Sequence, residues 1–287
     1  MRKKILLNGK FWIVAAVAVI ITAIIFLSKK IDKTVLVIDH VTVEKVEDIK
    51  PINDSLVVPI LYSDVKLLNE LDMDSRKQKF IDILIPTVLI YHHQLGLNKE
   101  RVKILQEKAR YSLKWTSEDS LFIQTSFDRY KTKNLNELIK RMHPPPISIA
   151  IAQAALESGW GSSRFFKEAN NVFGIWSFSE NDDRIIANES REGKQIYLKK
   201  YENLLGSVED YHILLASSDT YSDFRACIQR DSNVYELIWY LRIYSERRDQ
   251  YVIMLRNVIA ANDLTKYDVY KIDPDFYDYP SDKKSIF

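Results

Sequence analysis

One carboxylate, Glu157, stands at the junction of two unlike stretches, and its neighbours are those a proton donor needs. Before it, residues 147–156 contain only Ser148 and Gln153 as polar side chains. After it, the run to residue 176 carries Gly159, Trp160, Gly161, Phe173, Gly174 and Trp176. A helix apolar nearly all round is surrounded by other elements, so 147–156 reads as the central helix of a helical domain. Glycines at 159 and 161 stop it and leave Glu157 in its last turn, where the partial negative charge of a helix end opposes ionisation. With Trp160 or other apolar neighbours, the carboxyl is expected to hold its proton to higher pH, as a general acid working near neutrality requires. A glutamate near a helix end can equally be solvated or salt-bridged, and chemistry alone leaves both readings open.

The elements that must position this residue follow from local pattern. Pro144, Pro145 and Pro146 predict a helix start near residue 146, since proline is tolerated at a first helical position and disfavours helix before itself. Phe80, Ile83, Leu84, Thr87, Val88, Tyr91 and Leu95 keep a 3.6-residue period, with Pro86 expected to kink that helix. Segments 99–113 and 118–130 read as two further amphipathic helices, the second capped by Ser117, and Asn134 caps a short one. His92 and His93, adjacent on a helix, point to different faces and are not a joint metal site. After the central stretch, 184–187 and 195–199 flank a polar tip with Gly193, which is a hairpin signal. Three more helices are expected at 208–218 (capped by Ser207), 233–242 and 245–261. Residues 263–287 show no helical period.

Composition narrows the class. The 287 residues are 46% apolar with net charge +2, which suits one domain plus attachments and gives no nucleic-acid footprint. The single cysteine, Cys227, excludes an internal disulfide and reads as a small core residue. Arg2, Lys3, Lys4 and Lys10 precede an uncharged run at 11–27. As a helix it would span roughly 25 Å, just enough for a bilayer core. The run is long for a cleaved signal peptide and lacks an A-x-A-like site, so a retained anchor is favoured. Charges on its two sides nearly balance and lean weakly toward an inside N-terminus. Residues 29–62, with Pro51 and Pro59, read as an extended tether.

The stretch 152–176 resembles the signature of glycoside hydrolase family 73, the bacterial endo-β-N-acetylglucosaminidases, which runs A-L-E-S-G-W-G and then N-N-x-F-G-I. Among them it is most similar to the bacterial Bax-like proteins, and the helical region before the motif extends that resemblance back to about Ser63. The resemblance implies a lysozyme-like α+β fold, mostly helical with a small β-hairpin lobe, preceded here by one N-terminal transmembrane helix. It implies Glu157 as the acid catalyst. The family's T-E-x-x-x-G-K falls on 188–194, so its proposed second carboxylate falls on Glu189, with Asn188 in place of threonine and Glu192 a nearby rival. Residues 244–251 resemble Y-S-x-R-G-x-x-Y, which gives Tyr244 a place beside the acid and reads Tyr251 as core; Arg248 stands where the family has glycine. Trp160, Asn171, Phe173, Trp176 and Tyr201 are the substrate-binding candidates, although Trp160 and Phe173 suit a core equally well.

The organisation expected is a cytoplasmic N-terminus (1–10), an anchor (11–28), a linker (29–62), a glucosaminidase domain (63–262, helical to 143 and catalytic from 144) and a tail (263–287). The function implied is hydrolysis of the β-1,4 bond between N-acetylglucosamine and N-acetylmuramic acid in peptidoglycan, at the outer face of the cytoplasmic membrane. No cofactor and no metal is expected. Either Glu189 activating water or the substrate's own 2-acetamido group completes the reaction. A muramidase, a lytic transglycosylase or a non-catalytic glycan-binding protein of the same fold are the alternatives.

Overall fold

The computed structural model describes residues 35–191, 194–230 and 233–278, with the backbone alone at 188–191 and 194, and three isolated helical positions, Trp12, Val19 and Thr22. The expected cytoplasmic N-terminus and anchor otherwise lie outside the described residues. What is described is α+β, mostly helical with four two-stranded sheets.

The longest element, α1 (Met73–Arg110), starts where the Asp72 side chain accepts from the backbone N–H of Asp74 and Ser75. Two helices were expected here, but 94–98 continue the helix. Gly96 weakens it by roughly 1 kcal/mol, and buried Leu95, Val102 and Leu105 on the same helix outweigh that. Pro86 sits inside α1. By length and composition α1 is able to cross a membrane, yet most of its apolar stretch is buried inside the protein, so it is a core helix.

Around α1 pack α2 (Ser117–Tyr130), α3 (Leu135–Arg141), α4 (Ile147–Ser158), the short α5 (Arg164–Ala169) and α6 (Leu204–Ser217). Then come α7 (Ser222–Ile228), α8 (Val234–Leu237), a 3-10 helix (Ile238–Tyr244) and α9 (Asp249–Ala261). Two caps differ from expectation. Thr116 caps α2, because Asp119 lies three residues on and completes a capping box with it. Asn203 caps α6 one turn earlier than expected, and Ser207 is instead buried within the helix, its hydroxyl accepting from Val172 N–H.

The residues expected as a tether belong to the domain from residue 35 onward. Strands β1 (Val35–Leu36), β2 (Asp39–Thr42), β3 (Leu56–Val57) and β4 (Ile60–Ser63) pair within this segment and with the tail strands β7 (Lys271–Ile272) and β8 (Tyr277–Asp278). Ile49 and Tyr62 are fully buried. Pro51 and Pro59 therefore interrupt strands without preventing the segment from docking. The tail also holds the central helix: Asp268 accepts from the N–H (2.7 Å) and hydroxyl (2.8 Å) of Ser148 in the first turn of α4. Strands β5 (Arg184–Arg191) and β6 (Lys194–Lys199) form the expected antiparallel hairpin, with a register shift between Ile186 and Ser190.

Candidate active site

Helix α4 is the central helix, buried from Ile147 through Ala155. It ends because Gly159 adopts φ +58° and caps it in the left-handed region, which an L side chain rarely enters. Glu157 is thereby set in the last turn with its side chain reaching solvent, at the wall of a cleft of about 700 Å³. Phe173, Gly174, Ile175, Trp176, Tyr221 and Tyr244 line the same cleft. Gly174 takes φ +67°, and a Cβ there would lie 3.9 Å from Glu157 Oε2, so this oxygen faces the turn at Gly174.

The protein around Glu157 raises its carboxyl above the ordinary 4.5, through desolvation; a hydrogen bond from Tyr251 and the charge of Arg247 oppose this without cancelling it. The Tyr251 hydroxyl donates to Glu157 Oε1 at 2.8 Å. Tyr251 is 3% exposed, so it is both the core residue expected from the sequence and the direct partner of the acid. Its oxygen accepts from Gln153 Nε2 at 3.0 Å, and Gln153 Oε1 accepts from the Tyr211 hydroxyl at 2.7 Å.

The other sequence candidates are dispersed. Tyr244 lines the cleft with its ring stacked on Tyr251 (5.9 Å between centroids), but its hydroxyl donates to the Phe173 carbonyl and not to Glu157. Phe173 is buried, stacked on Tyr211 at 4.0 Å, and forms part of the cleft floor. Trp176 is exposed on the cleft wall. Three binding candidates point elsewhere. Trp160, itself at φ +58°, packs edge-on against Phe80 of α1 and is not in the cleft lining. Asn171 is buried and spends its amide on Ile175 N–H and the carbonyls of Ile175 and Lys199, stapling the loop to β6. Tyr201 packs on Gly206 and donates to Asp210. Glu189 lies within β5, inside the register shift between Ile186 and Ser190, with only its backbone described; Glu192 is outside the described residues.

Sequence reasoning missed Gln153, Tyr211 and Phe178. Gln153 carried a signal, since it lies one turn before Glu157 on an otherwise apolar helix. Phe178 is 89% exposed at the cleft rim, 6.2 Å from Trp176. Asp182 and Asp210 also line the cleft, but both are engaged: Asp182 accepts from Ser177, and Asp210 pairs with Lys199 at 2.7 Å. A second cavity, about 770 Å³, opens at the other end of α4 between His92, His93, Pro144 and Tyr277. Its one carboxylate, Asp268, is committed to Ser148, so the Glu157 cleft is the better seat for acid chemistry. Among the described residues no group of three His, Cys, Asp or Glu side chains is placed to hold a metal ion.

Residues 132–264 match the family described as mannosyl-glycoprotein endo-beta-N-acetylglucosaminidase. Protein bax of Escherichia coli (strain K12) is 25% identical over 158 residues, 52% of this chain and 54% of that protein. The chain thus spans about half the length of the curated relative it matches. The catalytic domain of the autolysin Auto from Listeria monocytogenes aligns with 57% of this chain and 96% of its own, at 24% identity and a TM-score of 0.37. A C-terminally truncated glycoside hydrolase domain from Salmonella typhimurium FlgJ aligns with 48% of this chain and 97% of its own, at 22% identity and a TM-score of 0.33. Overlaps this loose leave the fold to stand on the elements described above.

Proposed function

We propose that the protein is a peptidoglycan hydrolase that cuts the β-1,4 bond between N-acetylglucosamine and N-acetylmuramic acid, a reading supported by the match of residues 132–264 to the mannosyl-glycoprotein endo-beta-N-acetylglucosaminidase family. The observation that carries this reading is the seat of Glu157: one carboxyl at the cleft wall, raised in pKa by its surroundings and with Oε2 toward the Gly174 turn. Glycoside cleavage needs a proton on the leaving oxygen and relief of positive charge at the sugar carbon. Glu157 supplies the proton. Tyr244, whose hydrogen is spent on Phe173, keeps oxygen lone pairs for the N–H of a 2-acetamido group. Trp176 and Phe178 offer apolar faces for sugar rings.

The second role falls either to Glu189 as the base on water or to the acetamido group itself. The anomer formed first separates them: inversion requires the base on water, and retention excludes it and is the outcome the acetamido route gives. Digestion of purified cell wall by wild type and Glu157→Gln, followed by mass spectrometry, tests the main reading. Reducing-end N-acetylglucosamine from wild type alone supports it. Anhydro-muramic products would make the enzyme a lytic transglycosylase, and equal digestion by both proteins would remove Glu157 from catalysis.

The apolar run at 11–27 serves in this reading as the anchor in the bacterial cytoplasmic membrane, with the domain on the periplasmic or wall side. Val35 is already paired with Asp278, so in this reading at most residues 29–34 separate the anchor from the domain, a reach of no more than about 20 Å. Such an enzyme is confined to glycan next to the membrane.

A further inference from the structure

The hydrogen bonds behind Glu157 form one directed chain. Tyr211 O–H donates to Gln153 Oε1, Gln153 N–H donates to Tyr251 Oη, and Tyr251 O–H donates to Glu157 Oε1. Each link sets the next. With its carbonyl occupied by Tyr211, the Gln153 amide turns its NH₂ toward Tyr251, and a tyrosine oxygen already accepting there has its own hydrogen free for Glu157. Gln153 is fully buried, and Tyr211 and Tyr251 nearly so, so water does not compete for these groups.

We propose that Gln153 and Tyr211 are positioning residues which, through Tyr251, keep the acidic proton of Glu157 on Oε2, the oxygen that faces the Gly174 turn of the cleft. This rests on Glu157 being the general acid. An Oε1 that already accepts Tyr251's hydrogen is a poor site for the proton, whereas Oε2 is turned toward the substrate space. The chain thus decides which oxygen of the carboxyl is the donor. The groups facing Glu157 are Tyr251 from α9, Arg247 before it, Tyr244 from the 238–244 helix, Tyr221 and Tyr211. Burial pushes all four tyrosine hydroxyls upward, so they stay neutral and Arg247 is the one charge among these groups.

Tyr211→Phe is the informative variant, because the ring and its 4.0 Å stack on Phe173 are kept. Freed of Tyr211, the Gln153 amide can turn its carbonyl to Tyr251 and draw that hydroxyl from Glu157. The carboxylate then loses a hydrogen bond that favours its charged form, and its pKa rises. Two readouts follow it: the ¹³C shift of the Glu157 carboxyl in glutamate-labelled protein across pH, and the pH profiles of kcat and kcat/KM on wall glycan. We expect an upward displacement of the carboxyl titration and of the basic limb by about half a unit or more, with kcat down about tenfold and KM within about twofold. In a Tyr251→Phe background the same substitution should add nothing to either shift.

Unchanged titration in Tyr211→Phe, or a shift that persists in full without Tyr251, overturns the proposal. Gln153→Met, apolar and of similar length, offers Tyr251 no carbonyl, so the Tyr251 hydroxyl stays on Glu157 and the carboxyl should titrate close to wild type; a Gln153→Met shift as large as that of Tyr211→Phe also overturns the proposal. A wild type that cuts no glycan but shows the carboxyl shift leaves the chain standing and removes the assigned reaction. Turnover with no carboxyl shift does the reverse.

Discussion

Tyr251 places its hydroxyl 2.8 Å from Glu157 Oε1, and the two residues lie 94 positions apart in the chain. The bond favours the charged form of Glu157 while burial opposes it. Tyr251→Phe therefore raises the Glu157 pKa further and moves the basic limb of kcat/KM to higher pH. It also strands the buried Gln153 amide donor, which costs about 1–3 kcal/mol of stability. A pH profile checks the first effect and urea unfolding the second; a limb that moves down in pH would contradict the assigned donor direction.

Glu157→Gln separates catalysis from stability. Loss of the ionisable proton should lower kcat by at least about a hundredfold, while the amide oxygen still accepts from Tyr251. The stability sign follows from linkage. A carboxyl whose folded pKa lies above its unfolded value binds more protons when folded, so its contribution is full below pH 4.5 and is lost as pH rises through the folded pKa. The variant escapes that loss. Its melting temperature should exceed wild type at pH 7 and the advantage should shrink on acidification toward pH 4. A constant difference across that range would show that Glu157 is not raised in the folded protein.

Much of this was legible in sequence because it is local. The start of α4 after Pro146, its end at Gly159 and the Glu157 position follow from residue types within one helix length. The existence of the hairpin was legible for the same reason, while its register shift between Ile186 and Ser190 was not. The origin of the acid's partners was not, because Tyr251 and Tyr211 arrive from α9 and α6, and nothing in a one-dimensional pattern says which buried tyrosine points its hydroxyl where. Residues 35–62 were misread for a related cause. Their strands are short, and two of the four pair with residues more than 200 positions away at 271–278, so alternation alone looks like extended linker. Trp160 and Asn171 show that a motif residue can serve the turn that presents the acid without touching the cleft.

Arg248 tests the departure from the family's motif directly. It sits at φ 48°, ψ −114° as the residue before α9, with no side-chain capping bond. That backbone region is open to glycine and costs a non-glycine residue of order 1–3 kcal/mol. Arg248→Gly recovers the strain and gives back roughly 0.5–1 kcal/mol in unfolded-state freedom. The expected net is a gain of about 1 kcal/mol, read as a rise of a few degrees in melting temperature. A loss of stability would mean that the Arg248 side chain contributes more than its backbone costs.

Gly161 presents the opposite case. Its φ is +77°, and an added Cβ would approach Leu68 Cδ1 to 2.6 Å, Phe80 Cδ2 to 3.1 Å and Phe166 Cε1 to 3.2 Å. All three neighbours are fully buried or nearly so, so none can move away freely. Gly161→Ala combines left-handed strain with overpacking and should cost about 2–4 kcal/mol. Because this turn follows Glu157 directly, kcat should fall as well. Chemical denaturation beside activity measures both, and an alanine variant as stable as wild type would show that the turn relaxes in a way the packing does not suggest.

Phe178 gives the cleanest reading of the cleft rim. With 89% of its surface exposed it gains almost nothing from folding, so Phe178→Ala should leave stability within about 0.5 kcal/mol of wild type. An apolar ring held in water beside Trp176, on the lining that contains Glu157, is instead available to a sugar face. Removing it should raise KM for glycan oligomers several-fold, about 1 kcal/mol of binding, with kcat at saturation nearly unchanged. The effect should be insensitive to salt, since no charge is involved. Oligomers of increasing length sharpen the test: if the ring holds a sugar away from the scissile bond, the shortest cleavable substrate loses nothing while longer ones lose affinity. Equal KM for wild type and variant at every length would remove Phe178 from the binding surface.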